Sequence, residues 1–575
     1  MASCSGTMRG RRVSCLLRAL TLHRRVKDNC MRRAVPIIGA LAFGTVALNY
    51  ANAGDDVAGR ALACTALRQA EIYQTRIDMA QWNEPQLLKA DRYSAMTGST
   101  PKDQEIGAHC LVRGVINPRT GVAGKPYGIH FELRLPVAWN RRFLFQGGGG
   151  TDGFLAPALG SIPSQGSTAV PALLRGYAVV SQDGGHEGTD TDFAQDQQAR
   201  LDYAYASTGQ VMVVAKQLIQ RFYGTHALKS FFMGCSNGGR EAMIAAQRYP
   251  TEFDGVVAGN PGFRLAYAGV GEAWDSQQFM RVAPVNARGE KVVANAFTQS
   301  ELDLVNRAVL DRCDAKDRLK DGVVNAWERC DFQISAVQCG PGRIQGCLSS
   351  DKVKVLETVF EGAKNSRGDN VYASWPWDAG INTIGWRVWK LGTSQTAQPN
   401  AISFTLGASS LGSYFMTPYQ RAFDVLRFDF DGDPAKVQQT AAINDADSTF
   451  LTTFAERHGK LIIFQGVSDP VFSANDIRDW YRQLQHDMGR ETSDFARLFM
   501  IPGMTHCGGG SGLDDIDPLT ALERWTDEDM APGALVGKGT LPGDTRPRSQ
   551  PICAYPQIAV YRGGDERAAS SFECE

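Results

Sequence analysis

The chain has 575 residues, 43% of them hydrophobic and 21% charged, which is ample for a large buried core and points to more than one domain. Its net charge of −1 conceals an asymmetry: residues 1–33 hold nine Arg or Lys against one Asp, and without residues 1–53 the balance is 51 basic against 60 acidic, a net of −9. Nothing basic remains to suggest a surface for nucleic acid.

Met31-Arg32-Arg33, the apolar run from Ala34 to Leu48 and Ala51-Asn52-Ala53 have the three parts of a secretory signal peptide. The run is too short for a membrane span. The expectation is a mature chain starting near Gly54, without a membrane span, in the periplasm or secreted, translated from Met1 or Met31. Cleavage there removes Cys4, Cys15 and Cys30 and leaves ten of the 13 cysteines. An even number in an oxidising compartment predicts five disulfides, against the alternative of buried free thiols.

From Gly54 to about Lys125 the sequence reads as an N-terminal ornament on the main sheet, which Cys64 and Cys110 can staple. Ile129 to Leu135 alternates apolar residues with His130, Glu132 and Arg134, the pattern of a half-exposed strand. Arg142 to Phe145 is another strand. It ends in Gly147-Gly148-Gly149-Gly150, a loop whose backbone N–H groups can face a ligand. Ala178 to Ser181 is a short strand, and Gln210 to Tyr223 has helical spacing. An apolar run then stops at Gly234-Cys235-Ser236-Asn237-Gly238, and Ala242, Ala245 and Ala246 follow at helical spacing. A sharp strand-to-helix turn of GxSxG type lifts the serine hydroxyl out of the backbone, the nucleophile elbow of a serine hydrolase. A tight turn with an ordinary serine is the competing reading. Phe253 to Pro261 supplies a further strand. The alternation from about 130 to 261 predicts an α/β fold with a mainly parallel sheet.

The rhythm breaks near Phe263. It returns at Lys460 to Phe464, a strand that leads into Asp469, and at Leu498 to Ile501, a strand that leads into His506. The expected organisation is a leader over 1–53, an α/β-hydrolase core over 54–262 and 446–575, and an inserted lid domain over 263–445. Trp375, Trp377, Trp386 and Trp389 cluster in the lid, either lining an aromatic pocket or forming the lid's own core.

A serine nucleophile needs a base, and the base an orienting acid. Ser236, Asp469 and His506 occur in the order such a sheet uses, the last two in loops after strands. Of the histidines, only His486 and His506 follow Asp469, and His486 falls within a helical stretch. Asp476 and Asp479 are the fallback acids. The N–H groups of Asn237 and Gly150 are the candidate oxyanion donors. Cys235 precedes Ser236 and Cys507 follows His506, so serine and histidine within hydrogen-bond reach bring the two cysteines within bridging distance. Cys235 as a thiol nucleophile is the alternative.

Cys235-Ser236, Asp469 and His506-Cys507 resemble the CS-D-HC motif of the tannase and feruloyl esterase family, which includes the bacterial mono(2-hydroxyethyl) terephthalate hydrolases. The resemblance runs through the mature chain, including Trp375 to Gly380, Phe495 to Phe499, Pro502-Gly503-Met504 and Pro556 to Ala559. It implies hydrolysis of esters of aromatic acids through an acyl-enzyme. It also implies the pairs Cys64–Cys110, Cys313–Cys330, Cys339–Cys347 and Cys553–Cys574.

Between Cys313 and Val323, three carboxylates with carbonyls between them suit a hard cation. The resemblance implies a structural Ca2+ held by Asp314, Asp317 and Asp321 and the carbonyls of Leu319 and Val323. Arg318 stands where the family often has glycine, and a solvated acidic loop is the competing reading. In the terephthalate monoester hydrolases a lid arginine clamps the substrate carboxylate, a few residues before a phenylalanine that packs on its ring. The matching stretch Gln398 to Thr405 has Phe404 but no arginine, which weakens recognition of a carboxylate. The expected substrate is therefore a small feruloyl- or galloyl-type ester, held by Phe404 and Phe472, with the terephthalate monoester as alternative. A catalytically inactive binding protein on the same fold is the rival from another class.

Overall fold

A nine-stranded mixed sheet organises the molecule. Its strands are β1 (Thr75–Asn83), β2 (His109–Thr120), β3 (Pro126–Pro136), β4 (Arg142–Gln146), β5 (Ala178–Gln182), β6 (Lys229–Cys235), β7 (Gly255–Gly259), β8 (Lys460–Gly466) and β9 (Ala496–Ile501). They lie in the order β1-β2-β3-β5-β4-β6-β7-β8-β9. From β5 to β9 all neighbours are parallel, and β1, β2, β3 and β5 pair antiparallel. The computed structural model describes residues 53–575 apart from 90–102, 163–166, 168, 343 and 421–422. The expected signal peptide lies outside the described residues.

Both faces of the parallel half are covered, so the centres of its strands are apolar and their side chains alternate between two cores. Phe143, Phe145, Phe232, Val256, Leu461 and Ile463 point into one core. Leu144, Phe231, Met233, Val257, Ile462 and Phe464 point into the other. Helix α1 (Ser207–Tyr223) covers the first face with Val211, Ala215, Leu218 and Phe222. Leu519, Leu522 and Trp525 of the helix Pro518–Glu528 cover the second.

Two expectations change. The N-terminal region is no ornament, because β1 and β2 extend the sheet as antiparallel strands. The polar face of β3 is not half-exposed: Glu132 is fully buried and Arg134 nearly so. Glu132 accepts from Arg113 at 2.6 Å, from Arg134 at 2.7 Å and from the Ala158 N–H at 3.0 Å. Alternating charges thus face each other inside the protein instead of facing water.

Between β7 and β8 the described residues contribute no strand to this sheet. The segment opens with α2 (Leu265–Val282) and includes α3 (Ile384–Lys390) and the π-helical turns Ser403–Ala408 and Leu411–Phe415. Lys390 of α3 forms a fully buried ion pair with Asp275 of α2 and lies 4.0 Å above the Trp375 ring. All five expected disulfides are present: Cys64–Cys110, Cys235–Cys507, Cys313–Cys330, Cys339–Cys347 and Cys553–Cys574. Among the described residues no helix is long and apolar enough to cross a membrane.

Candidate active site

β6 ends at Cys235, and a helix begins at Asn237. Ser236 turns the chain between them with φ 64° and ψ −125°, a conformation that costs energy for a residue with a side chain and is held by its surroundings. The Ser236 N–H donates to the Gly259 carbonyl at 3.0 Å, and its carbonyl accepts from Arg240 and Gly262. The glycines of the motif have a steric reason. A Cβ on Gly234 would strike the Gly238 carbonyl, and one on Gly238 the Gly148 carbonyl.

The loops after β8 and β9 bring the other two residues to the serine. His506 Nε2 lies 2.8 Å from Ser236 Oγ, and its Nδ1 lies 3.0 and 3.2 Å from the two Asp469 oxygens. Asp469 also accepts from Asn260 Nδ2 at 2.7 Å, Gln465 Nε2 at 3.2 Å and the N–H groups of Val471 and Phe472 at 2.8 and 3.3 Å. A carboxylate with this many donors is fixed in position. Trp389 and Phe472 meet the imidazole edge-on at 5.2 and 5.3 Å. The fallback acids are engaged elsewhere, Asp476 with Arg264 and Asp479 with Arg478. His486 is exposed on its helix. Cys235 is oxidised, with its Cα 6.1 Å from that of Cys507, so it holds no free thiol.

Asp378 joins the two loops: one of its oxygens accepts from Ser468 Oγ at 2.7 Å and from the Gly503 N–H at 2.6 Å. This is the physical content of the Trp375–Gly380 stretch.

Ser236 opens into a pocket whose walls include Gly150, Asn237, Leu265, Trp389, Phe415 and Phe472. Gly150 has φ 60°, a region glycine tolerates. The Asn237 N–H belongs to the first turn of its helix, where donors have no partner within the helix. Behind the glycine loop, Asn237 donates to Asp152 at 2.7 Å and Glu241 accepts from the Gly148 N–H at 2.9 Å. Burial and the adjacent Glu241 push Asp152 well above the ordinary carboxylate range.

Of the two expected aromatic walls, Phe472 lines the pocket and Phe404 does not. Phe404 packs against the neighbouring cluster of Val270, Leu411 and Phe415, because the π-helical turn presents Leu406 and Gly407 to the pocket instead. The four tryptophans divide. Trp389 lines the pocket, Trp375 and Trp386 are buried in the core, and Trp377 stacks on Phe360 at 3.6 Å. Asn260, Gln465, Asp378 and Glu272 are not among the expected site residues; the first two follow or end a predicted strand, Asp378 lies in the Trp375–Gly380 stretch, and Glu272 carries no local signal.

In the acidic loop, Asp314 accepts from the N–H groups of Asp321 and Gly322 at 3.2 and 2.8 Å, and Asp317 from Asn325 at 2.7 Å. Asp321 pairs with Arg548 at 2.6 Å. Burial raises all three, Asp317 to about 6 with help from Asp321 and Asp314. Among the described residues no three His, Cys, Asp or Glu side chains converge to hold a metal, since these carboxyls are turned onto protein donors. In kind they suit a hard cation: three buried acids stand against one contacting arginine. Arg318 is exposed and has φ 76°, the backbone region in which glycine is at home.

The sheet, the elbow and the hydrogen-bonded serine, histidine and aspartate define an α/β-hydrolase-type carboxylic ester hydrolase. Residues 110–575 match the family model described as tannase and feruloyl esterase, and the chain belongs to that family. It is 37% identical to a mono(2-hydroxyethyl) terephthalate hydrolase of Piscinibacter sakaiensis, over 89% of this chain and 91% of that protein. It is 28% identical to a probable feruloyl esterase of Arthroderma benhamiae, over 77% of this chain and 81% of that protein. The fold matches crystalline feruloyl esterase B from Aspergillus oryzae with a TM-score of 0.73 at 23% identity, over 90% of this chain and all of that one.

Proposed function

We propose that the protein hydrolyses esters of phenolic aromatic acids through an acyl-enzyme on Ser236. The observation that carries this is the Ser236–His506–Asp469 chain opening into a pocket walled by Trp389, Phe415 and Phe472. Ser236 Oγ attacks the ester carbonyl as His506 Nε2 takes its proton, and Asp469 orients the imidazole through Nδ1. The N–H groups of Asn237 and Gly150 stabilise the oxyanion. His506 then protonates the leaving alcohol; it next takes a proton from water as the water oxygen attacks the acyl carbon, and returns that proton to Ser236 Oγ as the bond to the acid breaks.

The terephthalate monoester is the second reading, favoured by the relative at 37% identity. Against it, among the described residues the pocket lining holds no Arg or Lys and does hold Glu272. Methyl ferulate, methyl gallate and the terephthalate monoester, compared by kcat/KM, separate the readings. A terephthalate monoester preferred over both phenolic esters would overturn the first. Ser236→Ala tests the inactive-binding-protein rival, since unchanged hydrolysis would remove the serine from the chemistry.

The same reading makes residues 263–445 a lid over the substrate and gives the acidic loop a structural Ca2+, held by Asp314, Asp317, Asp321 and the carbonyls of Leu319 and Val323. Supporting the ion are three carboxyls gathered there with one contacting arginine. Activity that survives chelation while the fold persists excludes a metal-dependent hydrolase. Export to the periplasm or medium is supported by the five disulfides, and fractionation of cells expressing the full chain tests it.

A further inference from the structure

Leu265, Ala268, Gly269 and Glu272 fall on one face of α2 at i, i+3, i+4 and i+7, and all four line the pocket. Three of them are apolar or small, and the fourth is a carboxyl only 3% exposed. Buried acids normally find partners. Among the described residues Glu272 makes no hydrogen bond, although Lys390 is close enough to influence it electrostatically. Lys390 is committed to Asp275.

The other polar side chains of this lining are differently placed. Thr151 donates to the Thr189 carbonyl at 2.7 Å, Tyr203 to the Gly150 carbonyl at 3.1 Å and Tyr414 to Asn444 at 3.0 Å, and the Ser410 hydroxyl donates to the Leu406 carbonyl. The Glu272 carboxyl is also accommodated by its neighbour. It lies against Gly407, where any side chain would coincide with it. Gly407 belongs to the π-helical turn Ser403–Ala408, a local irregularity of the kind that often marks functional sites. A buried acid given room by a glycine and left open toward the pocket is placed to meet a ligand.

We propose that Glu272 is the specificity-determining group of this pocket, hydrogen-bonding a phenolic hydroxyl carried by the aryl ring of the substrate's acyl group. The inference rests on the aromatic-ester reading above. Burial, reinforced by Asp275 and Asp469 against the opposing effect of Lys390, holds Glu272 well above the ordinary carboxylate range. A carboxyl offers the hydroxyl an acceptor, and a donor as well when it is protonated. The aromatic walls position the ring, and Glu272 distinguishes rings that carry the hydroxyl from those that do not.

The experiment compares kcat/KM for methyl 4-hydroxycinnamate, methyl cinnamate and the terephthalate monoester in the wild type, Glu272→Gln and Glu272→Leu. The full oxidised chain is used, and melting temperatures confirm that each variant is folded. The wild type is expected to prefer the hydroxylated ester by about tenfold or more, the size of one hydrogen bond to a buried group. Glu272→Gln retains part of that ratio, and Glu272→Leu brings it near unity, chiefly through loss on the hydroxylated ester. A wild-type ratio near unity, or a ratio unchanged in Glu272→Leu, overturns the proposal while leaving the esterase reading intact. A terephthalate monoester preferred over both cinnamates and weakened in Glu272→Leu overturns it in favour of carboxyl recognition. Failure of the wild type on all three esters overturns the aromatic-ester reading and this inference with it.

Discussion

On the strand-end side of the pocket Asp469 is 2% exposed and accepts from Asn260, Gln465, Val471 and Phe472 besides facing His506. On the helical side Glu272 is as deeply buried, at 3% exposure, and makes no hydrogen bond among the described residues. The two acids show two uses of burial. A saturated carboxylate fixes the geometry of its neighbour, whereas an unsaturated one stores an unmet requirement that a ligand can satisfy. The strand-end loops are accordingly cross-braced by a disulfide and by Asp378. The helical wall is built around glycine contacts and π-turns.

If the strand-end side carries the chemistry, Ser236→Ala lowers kcat/KM by about 10⁴-fold or more with an unchanged melting temperature. Substantial residual turnover would break the division of labour at its root. The helical side is expected to show its largest effect in stability. Asp275→Ala leaves Lys390 buried and unpaired, a loss of about 3–5 kcal/mol in denaturant unfolding. A loss below about 1 kcal/mol would mean that water reaches the pair.

The brace between the strand-end loops is tested by replacing Cys235 and Cys507 together with alanine. The expected cost is about 2–4 kcal/mol, with kcat falling more than KM changes because the nucleophile and base lose their register. An unchanged kcat would reduce the bridge to a stability element. A finer test lies in the two phenylalanines. Phe472→Ala raises KM for an aryl ester by roughly tenfold, as expected for losing a ring contact and its buried area, and Phe404→Ala changes it little. The reverse order would restore Phe404 as a substrate wall.

What the residues announce follows the same division. The elbow, the order of the triad and the strands of the parallel half are local patterns: period-two burial, glycines where backbones touch, and a serine in a strained turn. The elbow and the strands are each written within a few consecutive residues, and the triad follows from the chain order of Ser236, Asp469 and His506. Glu132 and Arg134 mislead because alternation reports two faces, not which face is wet, and only the pairing with Arg113 and the Ala158 N–H shows that the charges are compensated inside. Phe404 misleads because a π-turn changes which positions face the pocket, and nothing near residue 404 signals such a turn. Glu272 looks like any glutamate in a helix until Gly407, 135 positions later in the chain, is seen beside it.

The smallest expected effect concerns the acidic loop. Asp317 sits at about 6 against an ordinary 3.8. A raised folded-state pKa means that the folded protein holds the proton more tightly than the unfolded chain, so without a cation stability falls as pH rises through that window. A bound cation replaces the proton. The rise in melting temperature on adding calcium after chelation is therefore expected to be larger at about pH 7 than at about pH 5. A calcium effect that shrinks with rising pH would dissociate the loop from the ion.

The Cys235–Cys507 bridge joins positions 272 residues apart, and the whole helical segment lies between them. During synthesis the nucleophile emerges long before its base, so a nascent or truncated chain that ends before β9 carries a serine with no histidine beside it. The covalent lock closes only after the pocket-forming segment has been made and the two ends of the site have met. The bond beside the reactive hydroxyl therefore requires the chain through Cys507.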